Sequence, residues 1–230
     1  MNIRKNIFLA LTGGLLLGLP WSVSVLFFLV FFAWVPLLLL EEEVRHHPNT
    51  YVIFNYAFVG FLLWNILGTW WVSRAQFVGA IFIILANSLL QALVFWLASR
   101  IRTLLRIPLL FPFLLIWMGY EHFHLSWDLA WPWLNLGNAL ATAPELIQWY
   151  EFTGVRGGTL WIILTNFALL RVYDTYREKG PGSIVPVGAA TLALVLIPLF
   201  GSYLIFHNFE EVGDTVNIAL LQPNVDPSKE

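Results

Sequence analysis

One short segment of the sequence combines a carboxylic acid with two imidazoles. Glu121, His122 and His124 follow the end of an apolar stretch. An ionisable group near membrane depth is costly and is often functional. Residues at i, i+1 and i+3 do not share one helix face, so no metal site is predicted. Two interpretations of Glu121 stay open: a functional carboxylate, or a helix-end carboxylate that pairs with His122 or with a loop amide.

The loop after this segment, residues 127–138, is unusually aromatic and reads WDLAWPWLNLGN. Pro132, between Trp131 and Trp133, interrupts any regular helix. Non-helical backbone is tolerated at membrane depth only where it is buried in protein or lines a cavity. We therefore predict a re-entrant segment that is buried or embedded at the membrane interface.

Residues 151–158, EFTGVRGG, open the next apolar stretch. Their glycines allow close helix packing, as small residues do in membranes, and Glu151 and Arg156 are spaced so that they can pair across the turn. The sequence has no GxGxxG, P-loop, GxSxG or HExxH motif. It has no cysteine, which excludes disulfides, thiolate metal sites and a cysteine nucleophile within these residues.

The composition points to lipid as part of the solvent. Hydrophobic residues make up 59% of the 230 residues and charged residues 11%, with a mean hydropathy of +0.74. A soluble domain usually has about 25% charged residues. The net charge of -2 and the lack of a basic patch give no indication of a nucleic-acid partner.

Seven apolar blocks are candidates for membrane spans, since a helix needs roughly 20 apolar residues to cross. The first is short and ends at Pro20. The blocks are Ile7–Leu19, Ser22–Leu40, Val52–Val72, Val78–Ala98, Ile107–His122, Gly154–Leu170 and Ile184–Phe206.

The basic residues indicate the orientation of these spans. With the N-terminus in the cytoplasm, nine of the twelve Lys and Arg residues lie inside and three outside, as the positive-inside rule favours. An odd number of spans then places the C-terminus in the periplasm. Residues 41–43 (EEE) and 100–106 are predicted to be solvated cytoplasmic loops. The inside residues are Arg4, Lys5, Arg45, Arg100, Arg102, Arg106, Arg171, Arg177 and Lys179; the outside ones are Arg74, Arg156 and Lys229.

Tryptophans gather at the predicted outer ends of the helices, among them Trp64, Trp70, Trp71 and Trp161. One interpretation is an aromatic belt at the lipid–water interface. The other is a wall for lipid chains beneath an active site. Both remain open.

The last segment changes character after Phe206. A polar, acidic stretch leads into residues 216–221, VNIALL, which are typical of a short buried strand. Turn residues follow in QPNVDP. A lone strand cannot pair its backbone groups, so we expect a truncated chain, or one whose partner strands come from elsewhere.

Several of these pieces, in order along the chain, resemble the apolipoprotein N-acyltransferases of the bacterial inner membrane. The similarity covers the end of the third span, a glutamate ending the fifth, a proline–tryptophan–leucine loop, a glycine–valine start of the sixth, and a first nitrilase strand. The corresponding residues are Gly68–Ser73, Glu121, Trp131–Gly137, Glu151–Gly157 and Asn217–Val225.

The resemblance implies an enzyme that takes an acyl chain from a phospholipid, holds it as a thioester on a cysteine, and passes it to the α-amine of a diacylglyceryl-cysteine lipoprotein. It implies a glutamate, lysine and cysteine triad in a periplasmic nitrilase-like domain, which no position here matches. The chain is therefore expected to be inactive alone, with no cofactor. Its expected partners are the phospholipid donor, the lipoprotein acceptor and membrane lipids.

The predicted fold is thus an all-α polytopic membrane bundle of about seven spans over residues 1–206. Residues 207–230 are predicted to form a periplasmic linker and the first β-strand of a truncated α/β nitrilase-like domain. The alternative is a non-catalytic membrane protein, either a transporter or an assembly factor, although no inverted repeat supports a transporter. The candidate lipid or substrate contacts are Trp70, Trp71, Glu121, Trp131, Pro132 and Trp133.

Overall fold

The computed structural model describes residues 2–213, 216 and 218–223, and every regular element among them is helical. Short 3-10 segments extend or connect seven α-helices. The helices are α1 (Ile3–Ser22), α2 (Val35–Val44), α3 (Val52–Thr69), α4 (Phe77–Leu105), α5 (Leu110–Phe123), α6 (Tyr150–Lys179) and α7 (Ile184–His207).

Five helical segments are long and apolar enough to cross a membrane: Ser24–Val44, Val52–Arg74, Phe77–Leu105, Tyr150–Lys179 and Pro181–His207. Each falls on one of the predicted blocks. The count of seven stays a prediction, because α1 carries Arg4 and Lys5 in its first turn and α5 has only 14 residues. At 1.5 Å per residue α5 is about 21 Å long, short of a hydrocarbon core of about 30 Å.

The first of these segments, Ser24–Val44, is a broken helix. A 3-10 segment, Ser24–Phe31, precedes α2, and the junction leaves backbone groups without helical partners. Asn166 of α6 bonds the backbone on both sides of the junction: its Oδ1 accepts from the Trp34 amide at 2.9 Å, and its Nδ2 donates to the Val30 carbonyl at 3.0 Å. Broken helices persist in membranes when neighbouring side chains bond the freed groups in this way.

An aromatic cluster forms the centre of the bundle. Trp34 packs within 4.8 Å of Phe113 and 4.6 Å of Trp117, measured between ring centroids in edge-to-face arrangements. Such pairs add to the free energy gained by burying the rings. The fully buried rings of the cluster come from α3, α4, α5 and the broken segment: Trp34, Phe61, Trp64, Phe95, Phe113 and Trp117.

Helices α1 and α3 approach closely through glycine. A Cβ at Gly14 would lie 2.1 Å from the carbonyl oxygen of Gly60. Because this oxygen belongs to the backbone of α3, a larger residue at position 14 would push the two helices apart. Small residues at such contacts let two membrane helices gain van der Waals packing that larger residues would prevent.

The prediction that residues 41–43 and 100–106 are loops was wrong, and their predicted solvation holds for Glu42, Glu43 and residues 104–106 but not for Glu41. Helix α2 continues through Val44 and α4 through Leu105, and their ends pack together. Glu41 is completely buried, accepts from Ser99 Oγ at 2.7 Å and forms an ion pair with Arg102. The prediction rested on the charged residues of these segments. Glu41 can nevertheless be buried, because an ion pair and a hydrogen bond from α4 compensate its loss of hydration.

The predicted strand at residues 216–221 stays a prediction. Val216 and residues 218–221 have no regular secondary structure, and Asn217 lies outside the described residues, as do Asn224 and Val225 of the resembling segment. Helix α7 ends at His207, one residue beyond the predicted domain boundary. The assignment of residues 207–230 to a second domain likewise stays a prediction.

Candidate functional site

The loop between α5 and α6 folds back into the bundle, as the sequence predicted. It contains three 3-10 turns, Pro132–Leu134, Leu136–Leu140 and Pro144–Leu146. Leu136 and Leu140 are fully buried. Gly137 lies against the start of α6 so closely that a Cβ there would be 2.1 Å from the Val155 carbonyl oxygen.

Glu121 fixes this loop to the bundle. Its side chain is 1% exposed. Oε1 accepts from Trp117 Nε1 at 3.0 Å and from the Leu136 amide at 2.8 Å, and Oε2 accepts from Thr159 Oγ1 at 2.6 Å. One carboxylate therefore ties α5, the loop and α6 together, and the loop amide expected in one interpretation of Glu121 is present.

The neighbouring groups complete this clamp. The amide of Gly137 donates to Thr159 Oγ1 at 3.1 Å, so the loop is held at two successive turns. His122 Nδ1 lies 2.9 Å from an Arg156 guanidinium nitrogen, so Arg156 of α6 contacts α5. No ion pair joins it to Glu151, the partner predicted from the sequence, among the described residues. No group of three potential metal ligands occurs within the described part of the chain.

Three of the predicted tryptophans form one cluster at the outside of the loop. Trp71 stacks on Trp131 at 6.4 Å and meets Trp133 edge-on at 5.8 Å, between ring centroids. Trp71 is 45% and Trp133 54% exposed. Trp21, at the end of α1, donates from Nε1 to the Trp133 carbonyl at 2.9 Å, which holds the cluster to the bundle.

The other predicted residues are placed differently. Pro132 opens the first 3-10 turn, and its carbonyl accepts from Asn138 Nδ2 at 3.0 Å. Trp70 faces the start of α4 beside a shallow apolar pocket, with the Arg74 guanidinium 4.8 Å from its ring centroid. The structure thus joins Trp71, Trp131 and Trp133, and separates Trp70 and the buried Glu121 from them.

A buried polar network beneath the loop was missed by the sequence analysis. Asn87 Nδ2 donates to Asn65 Oδ1 at 2.7 Å, and Asn65 Nδ2 donates to Gln91 Oε1 at 2.7 Å. Asn87 Oδ1 accepts from Tyr120 at 2.5 Å and contacts His124 Nε2 at 3.0 Å. The sequence did contain an indication of this network: Asn65, Asn87 and Gln91 lie inside otherwise apolar helices, where amide side chains commonly form hydrogen bonds between helices.

Two cavities open beside these elements. One, of about 270 Å³, lies between α4 and the loop and is lined by Asn87, His124 and residues 127–131 among others. The other, of about 640 Å³, is almost wholly apolar and lies between the 3-10 segment Ser24–Phe31, α6 and α7. His124 is buried, and burial lowers its pKa because it disfavours the imidazolium.

The last turns of α7 come to the same end of the bundle as the loop. Ser202 Oγ lies 3.5 Å from the Trp149 amide, and α7 packs against the 3-10 turn Pro144–Leu146. This end therefore offers exposed aromatic rings, apolar clefts and a few fixed polar groups. Such a surface suits an amphipathic molecule that has apolar chains and a polar head.

Comparisons with known proteins agree with this character. A family model described as the apolipoprotein N-acyltransferase N-terminal domain matches residues 13–168. The apolipoprotein N-acyltransferase of Chlorobaculum tepidum is 34% identical over 236 residues, covering 98% of this chain and 42% of that protein. The one from Geobacter metallireducens is 29% identical over 235 residues, covering 97% and 44% respectively.

The chain spans about two fifths of the length of these relatives. No solved structure matches it.

Proposed function

The chain belongs to the apolipoprotein N-acyltransferase family, and from this premise we propose that it is the membrane domain of such an enzyme. In this role it holds the phospholipid acyl donor while the acyl chain passes, through a cysteine thioester, to the diacylglyceryl-cysteine amine of a lipoprotein. The observation that carries the proposal is the cluster that Trp71, at the end of α3, forms with Trp131 and Trp133 of the loop clamped by Glu121; Trp71 and Trp133 are exposed.

The chemistry explains why an enzyme of this kind needs such a surface. A thiolate attacks an ester at headgroup level while the acyl tail remains in apolar surroundings. Holding the ester in a fixed position lowers the entropic part of the barrier. Rigid aromatic rings on a clamped loop supply that position, and α7 ends on the same side, where a soluble domain would attach.

The lipid contacts predicted from the sequence have different roles in this proposal, according to their positions in the structure. Trp71, Trp131 and Trp133, with Pro132 setting the turn, contact the donor chain directly. Trp70 contacts lipid at the neighbouring pocket on α4. Glu121 was proposed as a contact from the sequence; its bonds to Leu136 and Thr159 support a positioning role for the loop instead.

The location and orientation are also part of the proposal. The protein lies in the bacterial inner membrane with its N-terminus in the cytoplasm and Asp214, which lies outside the described residues, in the periplasm. The uneven distribution of Lys and Arg supports this orientation.

The test uses a full-length enzyme carrying this domain and measures thioester formation in vesicles. We expect Trp131→Ala and Trp133→Ala to slow acyl loading about tenfold, because a misplaced donor loses part of its proximity advantage. Trp133→Phe, which keeps a ring, should retain most of the rate. Residues 1–230 alone serve as the blank, since they contain no cysteine.

Expression level and thermal stability control for folding. Loading at the parental rate in both alanine variants would remove the lipid-holding role and leave only an interfacial aromatic belt.

A further inference from the structure

A third cavity, of about 660 Å³, lies where α2 and α4 end, at the opposite end of the bundle from the tryptophan cluster. Its lining includes three guanidinium groups and an imidazole, from Arg45, Arg102, Arg106 and His46. The described part of the chain contributes no carboxylate to this lining. Neither the clamp nor the tryptophan cluster accounts for such a concentration of positive groups.

Two of the arginines are held from behind by carboxylates of α2. Arg102 forms ion pairs with Glu41 and Glu42, and Arg45 Nε lies 2.9 Å from a Glu42 carboxylate oxygen. The pairing of Arg45 uses only Nε, so its two terminal nitrogens have no ion-pair partner among the described residues. A guanidinium fixed in this way presents a planar set of donors that matches the oxygens of a phosphate.

Arg106 is held in an unusual backbone conformation. It ends α4 with φ 55° and ψ 40°, and it is the one non-glycine residue with positive φ in the described part of the chain. Glycine is the usual residue at such a helix end, because other side chains are strained there. Arg102, in the last turn of α4, already complements the helix dipole. The strain at Arg106 therefore points to a function for its side chain, as strained residues cluster at ligand sites.

The charges of the cavity leave an excess of one positive charge. Glu41 and Glu42 offset Arg45 and Arg102, whereas the Arg106 guanidinium has no ion-pair partner within the described residues. The partial charges of the three helix ends that meet here are smaller and of mixed sign, negative for α2 and α4 and positive for α5. The cavity therefore suits a single negative charge that is spread over several oxygens.

We infer that this cavity binds a phosphate group carrying one net negative charge, supplied either by the headgroup of an anionic phospholipid or by a free phosphate ion. The Arg106 guanidinium and the terminal nitrogens of Arg45 donate to the phosphate oxygens. This inference goes beyond the proposed function, because the surface proposed for the acyl donor lies at the opposite end of the bundle. A headgroup held here would fix the charged end at the membrane surface.

The size and the surroundings of the cavity favour the lipid source. Its volume falls within the range of pockets for drug-sized ligands, about 300–1,000 Å³, and so has room for a glycerophosphate headgroup. Pro108 lines the cavity, and the exposed side chains of Phe111 and Leu115 follow it one turn apart on α5. They provide apolar surface for the tails. A zwitterionic headgroup would place its ammonium among guanidiniums, with no lining carboxylate to bind it.

The experiment measures lipid retention by the purified chain in detergent and phosphate-free buffer, using native mass spectrometry. The probes are phosphatidylglycerol and phosphatidylcholine with identical oleoyl chains. We expect phosphatidylglycerol to be retained about fivefold more strongly, the effect of one basic side chain near anionic headgroups. Arg106→Gln should abolish most of this preference.

Two further variants separate binding from folding and from general surface charge. Arg106→Gly removes the guanidinium but suits the backbone conformation, so it should abolish the preference while thermal stability is kept or raised. Arg177→Gln is the matched control, because it removes an exposed arginine from the end of α6, outside the cavity. It should leave the preference unchanged.

A second arm tests inorganic phosphate alone by the thermal shift that it causes in the parent chain and in Arg106→Gln. Stabilisation that requires Arg106, without any preference between the two lipids, supports the site and identifies a free phosphate as its ligand. A phosphatidylglycerol preference that requires Arg106 supports the site with a lipid ligand.

Three results would overturn the inference. The first is equal retention of the two lipids together with no Arg106-dependent shift by phosphate. The second is a preference that survives both Arg106→Gln and Arg106→Gly. The third is an equal loss of preference in Arg177→Gln, which would show an effect of general surface charge. None of these measurements involves acyl transfer, so they leave the proposed membrane-domain role to its own test.

Discussion

At the scale of single residues, Glu121 shows how one buried carboxylate organises a surface that it does not reach. Its two oxygens accept three hydrogen bonds, from a tryptophan of its own helix, a loop amide and a threonine of α6. Each donor would otherwise be buried without a partner, at a cost of about 1–3 kcal/mol. The position of the loop tryptophans, including the exposed Trp133, therefore depends on the hydrogen bonds of Glu121.

We expect Glu121→Ala to lower the free energy of unfolding by about 3 kcal/mol, because the Leu136 amide and the Trp117 indole lose their acceptor. Glu121→Gln keeps one acceptor oxygen and should cost about 1 kcal/mol. Denaturant titration in detergent measures both, with Glu151→Ala as an exposed control on the same side. Equal stability of Glu121→Ala and Glu151→Ala would contradict the clamp.

At the scale of elements, α5 and the loop after it behave as one unit. Helix α5 is held on one side by the aromatic core around Trp34 and on the other by the amide network of α3 and α4. Tyr120 and His124 both reach Asn87, so the end of α5 and the beginning of the loop share a single acceptor. The beginning of the loop is therefore tied to both α5 and α4.

A double-mutant cycle between Asn87→Ala and Tyr120→Phe tests this connection. We expect a coupling free energy of about 0.6 kcal/mol or more, the usual scale for side-chain hydrogen bonds between membrane helices. Tyr173→Phe, on the half-exposed part of α6, is the control and should show no coupling to Asn87. Zero coupling in the test pair would mean that the network contributes nothing to holding α5.

At the scale of the whole molecule, the bundle has a charged end and an aromatic end. Lys5 bonds Glu43, and Arg102 bonds both Glu41 and Glu42, which brings the beginning of α1 together with the ends of α2 and α4. At the opposite end Trp21, Trp71 and Trp133 meet. The uneven distribution of Lys and Arg along the sequence thus corresponds to charged residues at one end of the bundle and tryptophans at the other.

Much of this architecture was predictable because apolar length alone marks a spanning helix. The five confirmed segments lie on predicted blocks, and the re-entrant loop followed from its proline and its tryptophans. The pairing of side chains was not predictable. Trp64 and Trp161 look like belt residues in the sequence, but both are buried, because helix rotation depends on packing partners that hydropathy does not identify.

The two ends also give the final prediction, which concerns orientation. The charged end holds most of the Lys and Arg residues, so we expect it to face the cytoplasm and the tryptophan end to face the periplasm. Reporter fusions after Arg106 and after Asp214 should then give opposite signals, since the first follows the charged end of α4 and the second follows α7, whose last turns lie beside the loop. A fusion after Lys179, at the end of α6, is the internal control and should match the one after Arg106. Identical signals after Arg106 and Asp214 would contradict the assignment, because the chain would then cross the membrane an even number of times between α4 and the end of α7.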